Sequence, residues 1–302
     1  MFTQTPHPDS LLKRNPDDLL PDGLTMGAVE LLVRDLDEMV RFYHDGVGLD
    51  VFEHTGETAL LGLGGEHLMT LRREPNLPAP SRHDAGLFHT AILFPTRELL
   101  AASVMKVAEL YPRNFTGSAD HIYSEAFYFD DPEGNGVELY ADRPREQWVT
   151  EPSGLYALAT DPLDPRAFLQ RNAPSEPVTL GGTLGHVHLQ VGDIDAARQF
   201  YVSTLGFEVK GEIGSALFVS AGGYHHHIAL NTWNSAGAGP RAASLGLGQV
   251  NIDLPTGEDI AALEERLTDH RVATRHDGAV LRFEDPWGTL IQVAQAPEPG
   301  VA

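Results

Sequence analysis

The sequence predicts an α+β protein made of four βαβββ-like modules, and three observations lead to this. Residues 29–53 (VELLVRDLDEMVRFYHDGVGLDVFE) align without a gap with residues 187–211 (VHLQVGDIDAARQFYVSTLGFEVKG). Residues 86–142 and 246–295 share a second, weaker pattern. The two patterns alternate along the chain, and an internal repeat of this kind indicates a molecule assembled from similar units.

Each element of the modules follows from its residues. In the first pattern an apolar strand is followed by a helix that ends in Phe-Tyr, and the helix N-cap is Asp35 in one copy and Asp193 in the other. A Gly turn and a further strand come next. The second pattern opens with a strand (GLFHTAILFP or GLGQVNIDLP) and continues with an amphipathic helix. It closes with strand, Asp-Pro turn and strand, as in FYFDDPEGNGVELY.

The modules divide the chain into four parts. Residues 1–24 are an N-terminal extension, and residues 25–142 hold modules one and two. Residues 143–180 are a linker rich in Pro and charge, with a short helix in its middle, and residues 181–302 hold modules three and four. The N-terminus lacks a secretion signal, and no apolar run approaches the ~18 residues that span a bilayer, so we expect a cytoplasmic protein that does not bind membranes.

Composition narrows the classes of site. The chain has no cysteine, which excludes disulfides, thiolate metal sites and cysteine nucleophiles. Any metal must be held by His, Asp or Glu, which suits Fe(II), Mn(II) or Zn(II). The net charge of −22 argues against a nucleic-acid partner and is typical of a highly soluble surface. The sequence leaves a homo-oligomer open.

The arrangement of the four βαβββ modules resembles that in proteins of the vicinal oxygen chelate superfamily. That resemblance implies that paired modules form two curved, incomplete barrels, one of them around a metal. It fixes the fold rather than the function, because the superfamily includes dioxygenases, glyoxalases, epimerases and metal-free binding proteins.

Within this fold, aligned first and closing strands each present one inward residue. These residues are Ala28, His89, His186 and Gln249 on the first strands and Glu138 and Gln292 on the closing strands of modules two and four, while the closing strands of modules one and three offer His67 and residues 225–227. Modules two and three thus supply His89, Glu138 and His186, a two-His, one-carboxylate group of the kind that holds non-haem Fe(II). A shared site requires module two to pair with module three. The alternative, in which one pairs with two and three with four, would separate the ligands.

Each of these residues also has a simpler explanation. A single His on an apolar strand is more often a core residue, and Glu138 could face solvent on an edge strand. The metal hypothesis is favoured because three positions chosen by repeat alignment are all ligand types, whereas their counterparts in the other modules are not.

The segment from His121 to Glu138 resembles the signature of type I extradiol ring-cleavage dioxygenases. His121 is followed by five residues, Phe127, Tyr128, two residues, an Asp-Pro-Glu-Gly turn and, after three residues, Glu138, so that every spacing is met. One departure is Ala119, where the family usually has Gly or another residue of a small set. The whole chain after about residue 25 is similar to bacterial two-domain catechol 2,3-dioxygenases.

This resemblance implies a catecholic substrate, O2 and Fe(II), with Mn(II) as the alternative ion. It also implies that His226 in the run HHHIAL is the acid–base, with His227 as the alternative, and that His121 and Tyr128 hydrogen-bond the substrate. We further expect residues 234–244 to act as a lid that selects the substituent on the ring.

Two other functions remain open at this point. A glyoxalase-like isomerase that uses Ni or Zn would need a second Glu ligand, and His226 occupies the position where we expect it. A metal-free binding protein of the same fold would lack the His–Glu–His group.

Overall fold

Each predicted module is present as a strand, a helix and three further strands in the computed structural model, which describes residues 1–297. Module one contains β1 (Thr25–Val33), α1 (Leu36–Arg41), β2 (Asp50–His54), β3 (Thr58–Leu63) and β4 (Glu66–Arg73). Module two contains β5 (Gly86–Leu93), α2 (Arg97–Leu110), β6 (Phe115–Asp120), β7 (Ser124–Asp130) and β8 (Gly136–Asp142).

The linker contributes β9 (Asp161–Pro162) and α3 (Pro165–Asn172), which confirms the predicted short helix. Module three contains β10 (Thr183–Gln190), α4 (Ile194–Ala197), β11 (Glu208–Ile213), β12 (Ala216–Ser220) and β13 (Ile228–Asn231). Module four contains β14 (Gly246–Leu254), α5 (Gly257–Asp269), β15 (Thr274–His276), β16 (Val280–Glu284) and β17 (Leu290–Gln295).

The helices of modules one and three begin as predicted and end differently. The side chains of Asp35 and Asp193 accept the backbone N–H three residues further on, at 3.0 and 2.7 Å, so both are N-caps. Both helices then widen into π-helical turns, Phe42–Val47 and Arg198–Thr204, which the sequence analysis did not anticipate. Such turns are uncommon and often mark functional or packing requirements.

The strands form two sheets, each built from one module on either side of the linker. The first sheet has the order β15-β16-β17-β14-β1-β4-β3-β2 and combines modules four and one. The second has the order β11-β12-β13-β10-β5-β8-β7-β6-β9 and combines modules three and two with the linker strand. The predicted α+β fold is confirmed, and modules two and three share a sheet. The domain boundaries stay a prediction.

Two matching hydrogen bonds connect the sheets. The Tyr43 hydroxyl of module one donates to Asp131 Oδ2 of module two at 3.0 Å, and the Tyr201 hydroxyl of module three donates to Asp285 Oδ2 of module four at 2.9 Å. All four residues are buried. The other carboxylate oxygen of each Asp accepts two backbone N–H groups of its own Asp-Pro turn. The turn and the π-helical segment are therefore parts of one contact between sheets.

The N-terminal extension lies against the linker and module three. The Phe2 N–H donates to the Leu158 carbonyl at 2.8 Å. Further along, Ser10 Oγ donates to Glu212 Oε2 at 3.0 Å, and the same carboxylate oxygen lies 2.6 Å from Arg198 Nη2 in a buried ion pair. The extension is thus held by polar contacts and by Leu20 and Leu24, which are buried in the apolar core, rather than by strand pairing.

A continuous cluster of buried apolar side chains runs through all four modules. It includes Val29, Leu139, Val187 and Val250, one from each. Within residues 1–297, no helix combines the length and the apolar character that crossing a membrane requires.

Candidate metal centre

Three ligand-type side chains meet on neighbouring strands of the second sheet. His89 lies on β5, Glu138 on β8 and His186 on β10, and β5 pairs with both other strands. Glu138 Oε2 lies 2.9 Å from His89 Nε2 and 3.3 Å from His186 Nε2, and the two Nε2 atoms are 3.4 Å apart. Over the described residues, this is the one group of three His, Asp or Glu side chains whose ligand atoms all lie within 4.8 Å of one another.

The spacing of these atoms fits a metal ion. Adjacent ligands that each lie about 2.1 Å from a six-coordinate ion are about 3.0 Å apart. The three observed separations, 2.9, 3.3 and 3.4 Å, are close to that value, and all three donor atoms converge on one point. The arrangement therefore suits one triangular face of an octahedral ion, leaving the opposite face open.

The protonation states also suit a metal. Burial lowers the pKa of His186 to about 4, so its ring is neutral near pH 7. Burial works against the charged form of Glu138, yet the neighbouring His186 and His89 rings hold the pKa of Glu138 well below its usual value. An ionised carboxylate and neutral imidazoles are the forms that bind metals.

The first sheet contains the same positions without the ligands. His89 lies opposite His188 across β5 and β10, and the corresponding pair across β14 and β1 is Gln249 and Glu30. Gln292 takes the place of Glu138 and accepts a hydrogen bond from Arg282 Nε at 3.0 Å. The repeat alignment therefore identified equivalent positions correctly.

The three ligands open into a cavity of about 480 Å³. Its walls include the aromatic rings of Phe88, Phe218 and Trp233, together with a ring of polar side chains near the ligands. Those polar side chains are His121, Tyr128, His188 and His226. A mostly apolar cavity with a few converging polar groups is typical of a small-molecule site.

His121 and Tyr128 lie together in this wall. The Ala159 carbonyl can only accept, so His121 Nδ1, at 2.7 Å from it, is the donor. The Tyr128 hydroxyl then donates to His121 Nε2 at 2.6 Å when the His121 ring is neutral. Burial, followed by the charge of Glu138, raises the pKa of Tyr128 well above its usual value, so the phenol keeps its proton.

A strained turn sets the direction of His121. Ile122, the next residue, has φ of 73°, which is rare for a β-branched side chain. Its N–H donates to Asp120 Oδ1 at 2.9 Å, and its carbonyl accepts Arg143 Nη1 at 2.7 Å. These bonds hold a conformation that would otherwise be costly, as is often seen beside functional groups.

The three histidines 225–227 face different surroundings. His226 lines the cavity, and its ring centroid lies 4.1 Å from that of His186. His227 does not line it, and its Nδ1 bonds the Ser220 hydroxyl at 2.9 Å. His225 bonds Asp142 Oδ1 through Nε2 at 2.9 Å. Of the two residues suggested as the acid–base, His226 is the one placed beside the ligands; the role itself stays a prediction.

His188 was not among the predicted site residues, although the alternation His186, Val187, His188 puts it on the same face of β10 as His186. Asn231 Oδ1 accepts the backbone N–H of Trp233 at 3.0 Å. The Asn231 side-chain N–H₂ therefore points at His188 Nε2, also at 3.0 Å, and donates to it. Burial, then the neighbouring His89, lowers the pKa of His188 well below its usual value. His188 is therefore a neutral ring whose proton lies on Nδ1.

The prediction that residues 234–244 form a lid over the site was wrong. Residues 234–244 do not line this cavity, although they start directly after Trp233, which does. The outer wall is instead formed by Phe2 of the N-terminal extension and by residues 158–160 of the linker. Neither segment shows a periodic pattern that would have revealed this position.

Comparisons with known proteins agree with the fold. The model of the Glyoxalase/Bleomycin resistance protein/Dioxygenase superfamily matches residues 25–139 and 183–293. Catechol-2,3-dioxygenase of Bacillus subtilis is 35% identical over 268 residues, which cover 86% of this chain and 93% of that protein.

Two solved structures share the architecture. A Bacillus subtilis protein with a provisional dioxygenase name superposes with a TM-score of 0.63 at 14% identity, covering 92% of this chain and 86% of that one. Glyoxalase I from Zea mays superposes with a TM-score of 0.57 at 16% identity, covering 90% and 92%. The chain therefore belongs to the Glyoxalase/Bleomycin resistance protein/Dioxygenase superfamily, in the branch of its catechol-2,3-dioxygenase relative.

Proposed function

We propose that the chain is an Fe(II)-dependent extradiol dioxygenase that cleaves catechol or a substituted catechol with O2 to a 2-hydroxymuconate-semialdehyde-type product. The observation that carries the proposal is the buried His–Glu–His group opening into an aromatic-walled cavity beside His226. The 35% identity to a catechol-2,3-dioxygenase over most of both chains supports the same reaction. Mn(II) is the alternative ion.

His89, Glu138 and His186 would hold the ion. When bound, Fe(II) would supply open positions for the catechol oxygens and O2 and would let electrons pass between them. The protein's own contribution is to exclude bulk water and keep these positions on the cavity side, since all three ligands are at most 6% exposed.

Proton transfer falls to His226. A base must take a proton from a catechol hydroxyl and later return it to an oxygen of the reacting molecule, which suits a neutral imidazole. Burial, then the nearby His186, lowers the pKa of His226 well below its usual value, so the ring is neutral before the substrate binds.

The hydrogen-bonded pair of His121 and Tyr128 lies on another side of the same cavity. The Tyr128 hydroxyl, whose proton goes to His121 Nε2 in this structure, would turn toward the substrate to donate to negative charge that develops on one of its oxygens. The Phe88, Phe218 and Trp233 rings pack against the aromatic ring. A cavity of about 480 Å³ leaves room for a ring with small substituents.

The isomerase and binding-protein alternatives make different demands. An isomerase would need a second Glu ligand, whereas the side chain beside His186 is His226. In a metal-free binding protein, the buried carboxylate of Glu138 would have two imidazoles but no metal ion beside it. A buried charge without a counter-charge is costly.

Anaerobic loading with Fe(II), followed by catechol and then air, tests the proposal. We expect O2 and catechol to disappear in equal amounts and a yellow semialdehyde to form. Mn(II)-loaded protein shows whether the alternative ion also works. The hemithioacetal of glutathione and methylglyoxal serves as substrate for the isomerase alternative. Turnover of the hemithioacetal without any catechol cleavage would overturn the proposal, as would tight catechol binding without O2 uptake.

A further inference from the structure

A chain of three hydrogen-bonded side chains runs from the protein's outer shell to the cavity. Asp142 Oδ1 lies 2.9 Å from His225 Nε2, and His225 Nδ1 lies 2.8 Å from His226 Nδ1. The Asp142 side chain is 20% exposed, whereas that of His225 is 1% exposed. His225 does not line the cavity, but its Nδ1 is bonded to His226, which does.

The chemistry of these groups fixes the direction of each bond. An ionised carboxylate can only accept, so His225 Nε2–H donates to Asp142. In a neutral His225 ring, Nδ1 then carries a lone pair and must accept from His226 Nδ1–H. That leaves His226 Nε2 without a proton. The opposite arrangement, with a cation on His225, would bury a charge beside the His186 and His226 rings.

The surroundings hold this geometry in place. The His225 ring stacks on Tyr123 with centroids 4.5 Å apart and an interplanar angle of 17°, and Tyr224 covers it at 4.1 Å. The second oxygen of Asp142 accepts the Tyr224 hydroxyl at 2.9 Å. Neither the carboxylate nor the ring can rotate without losing these contacts.

Strand β8 explains why Asp142 is in reach. Glu138, Tyr140 and Asp142 alternate along it and share one face. The same strand therefore carries one end of the His225–His226 chain and one predicted metal ligand. This gives the first histidine of the HHH run a role that the sequence alone did not suggest.

We propose that Asp142 and His225 are positioning residues that keep His226 in the tautomer with a bare Nε2 toward the cavity. This rests on the proposed function of His226 as the base. When a catechol O–H bond breaks and a new N–H bond forms at Nε2, His226 keeps its Nδ1 proton and becomes a cation. The Asp142 charge stabilises that cation through His225. The Nε2 proton returns to an oxygen of the reacting molecule, so no proton is gained or lost.

The tautomers can be measured without turnover. Long-range ¹H–¹⁵N spectra of protein loaded with diamagnetic Zn(II) distinguish Nδ1–H from Nε2–H rings. We expect Nε2–H for His225 and Nδ1–H for His226, and loss of this preference at His226 in the Asp142→Ala variant. A His226 ring protonated at Nε2 in the wild type would overturn the proposal whether or not the protein is a dioxygenase.

Kinetics supply the second test. His225→Phe keeps a ring between Tyr123 and Tyr224 but removes the acceptor, and we expect kcat to fall about 10²-fold with KM for catechol and metal content unchanged. Asp142→Glu should restore most of what Asp142→Ala loses. Ser220→Ala, which removes the partner of His227, is the matched control and should leave kcat near wild type.

A double variant distinguishes a positioning role of His225 from a role in packing alone. If His225 acts through His226, adding His225→Phe to His226→Gln should cost little more than His226→Gln alone, because residues that act as a unit are not additive. A further 10²-fold loss in the double variant, or a loss of metal in His225→Phe, would overturn the proposal.

Discussion

Glu138 is an ionised carboxylate between two imidazoles in the interior of a sheet, where a charge needs a partner. We expect Glu138→Gln to lose tightly bound metal, because an amide is a much weaker ligand than a carboxylate. Metal analysis after dialysis measures this. Glu125→Gln is the control, since Glu125 is also buried but pairs with Arg97 and Arg143. A full equivalent of metal in Glu138→Gln would remove this residue from the ligand set.

His226 and His227 are adjacent residues in different surroundings, which allows a matched pair of variants. We expect His226→Gln to keep metal and to bind catechol, but to slow the steps that follow O2 addition by about 10²–10⁴-fold. Anaerobic catechol titration and stopped-flow mixing with O2 separate the two effects. His227→Gln should behave like wild type. The reverse result would mean that His227 is the base.

Several residues of the site could be found from sequence because they follow a period. His89, Glu138 and His186 occupy equivalent strand positions, and alternation decides which face they take. Asp142, Asn231 and Tyr123 could not be found in this way. Their roles depend on which side chain lies opposite them after folding, and no spacing along the chain records that.

At the scale of elements, the two Tyr–Asp contacts between sheets should each contribute measurable stability. Removing a hydroxyl that bonds a buried carboxylate costs about 1–3 kcal/mol. We expect Tyr43→Phe and Tyr201→Phe to lower the free energy of unfolding by such amounts, and the double variant by their sum. Denaturant unfolding of the metal-loaded protein measures it. Tyr111→Phe is the control; within the described chain its hydroxyl makes no hydrogen bond, so a change within about 0.5 kcal/mol is expected.

The N-terminal extension is the second element with a testable role. Phe2 forms part of the outer cavity wall, so Phe2→Ala should widen it and shift preference toward catechols with larger substituents. The expected change in the ratio of kcat/KM values for an alkylcatechol and catechol is up to about 10-fold. Leu12→Ala, in the same extension but outside the cavity lining, should leave the ratio unchanged. An equal shift in both variants would contradict a local effect.

Elements with local signals were predicted well, and those without were not. N-caps and turns are encoded by a few neighbouring residues, as Asp35 and Asp193 illustrate. The π-helical turns carry Tyr43 and Tyr201, which bond Asp residues in another module, and no neighbouring residue signals that contact. The position of Phe2 likewise depends on a hydrogen bond to Leu158, more than a hundred residues away.

At the scale of the whole molecule, only the second sheet carries the predicted ligand set within residues 1–297. We expect about one tightly bound metal per chain, since Gln249 and Gln292 replace the ligands in the first sheet and amide oxygens bind Fe(II) weakly. Gln249→Ala and Gln292→Ala should therefore leave metal content unchanged. Two tightly bound equivalents in the wild type would show that the first sheet also binds metal.

Each sheet combines one module from either side of the linker. This arrangement sets the order in which the ligand group and the β1–β14 pair are completed during synthesis. His89 and Glu138 leave the ribosome before His186, and the edge of β1 finds its partner β14 only when the last module emerges. Chains grow at about 5–20 residues per second, so the metal ligands are complete while β1 still has a bare edge. An exposed strand edge invites pairing with other chains. We therefore expect a nascent chain arrested after β13 to bind metal yet to aggregate more readily than the full-length chain.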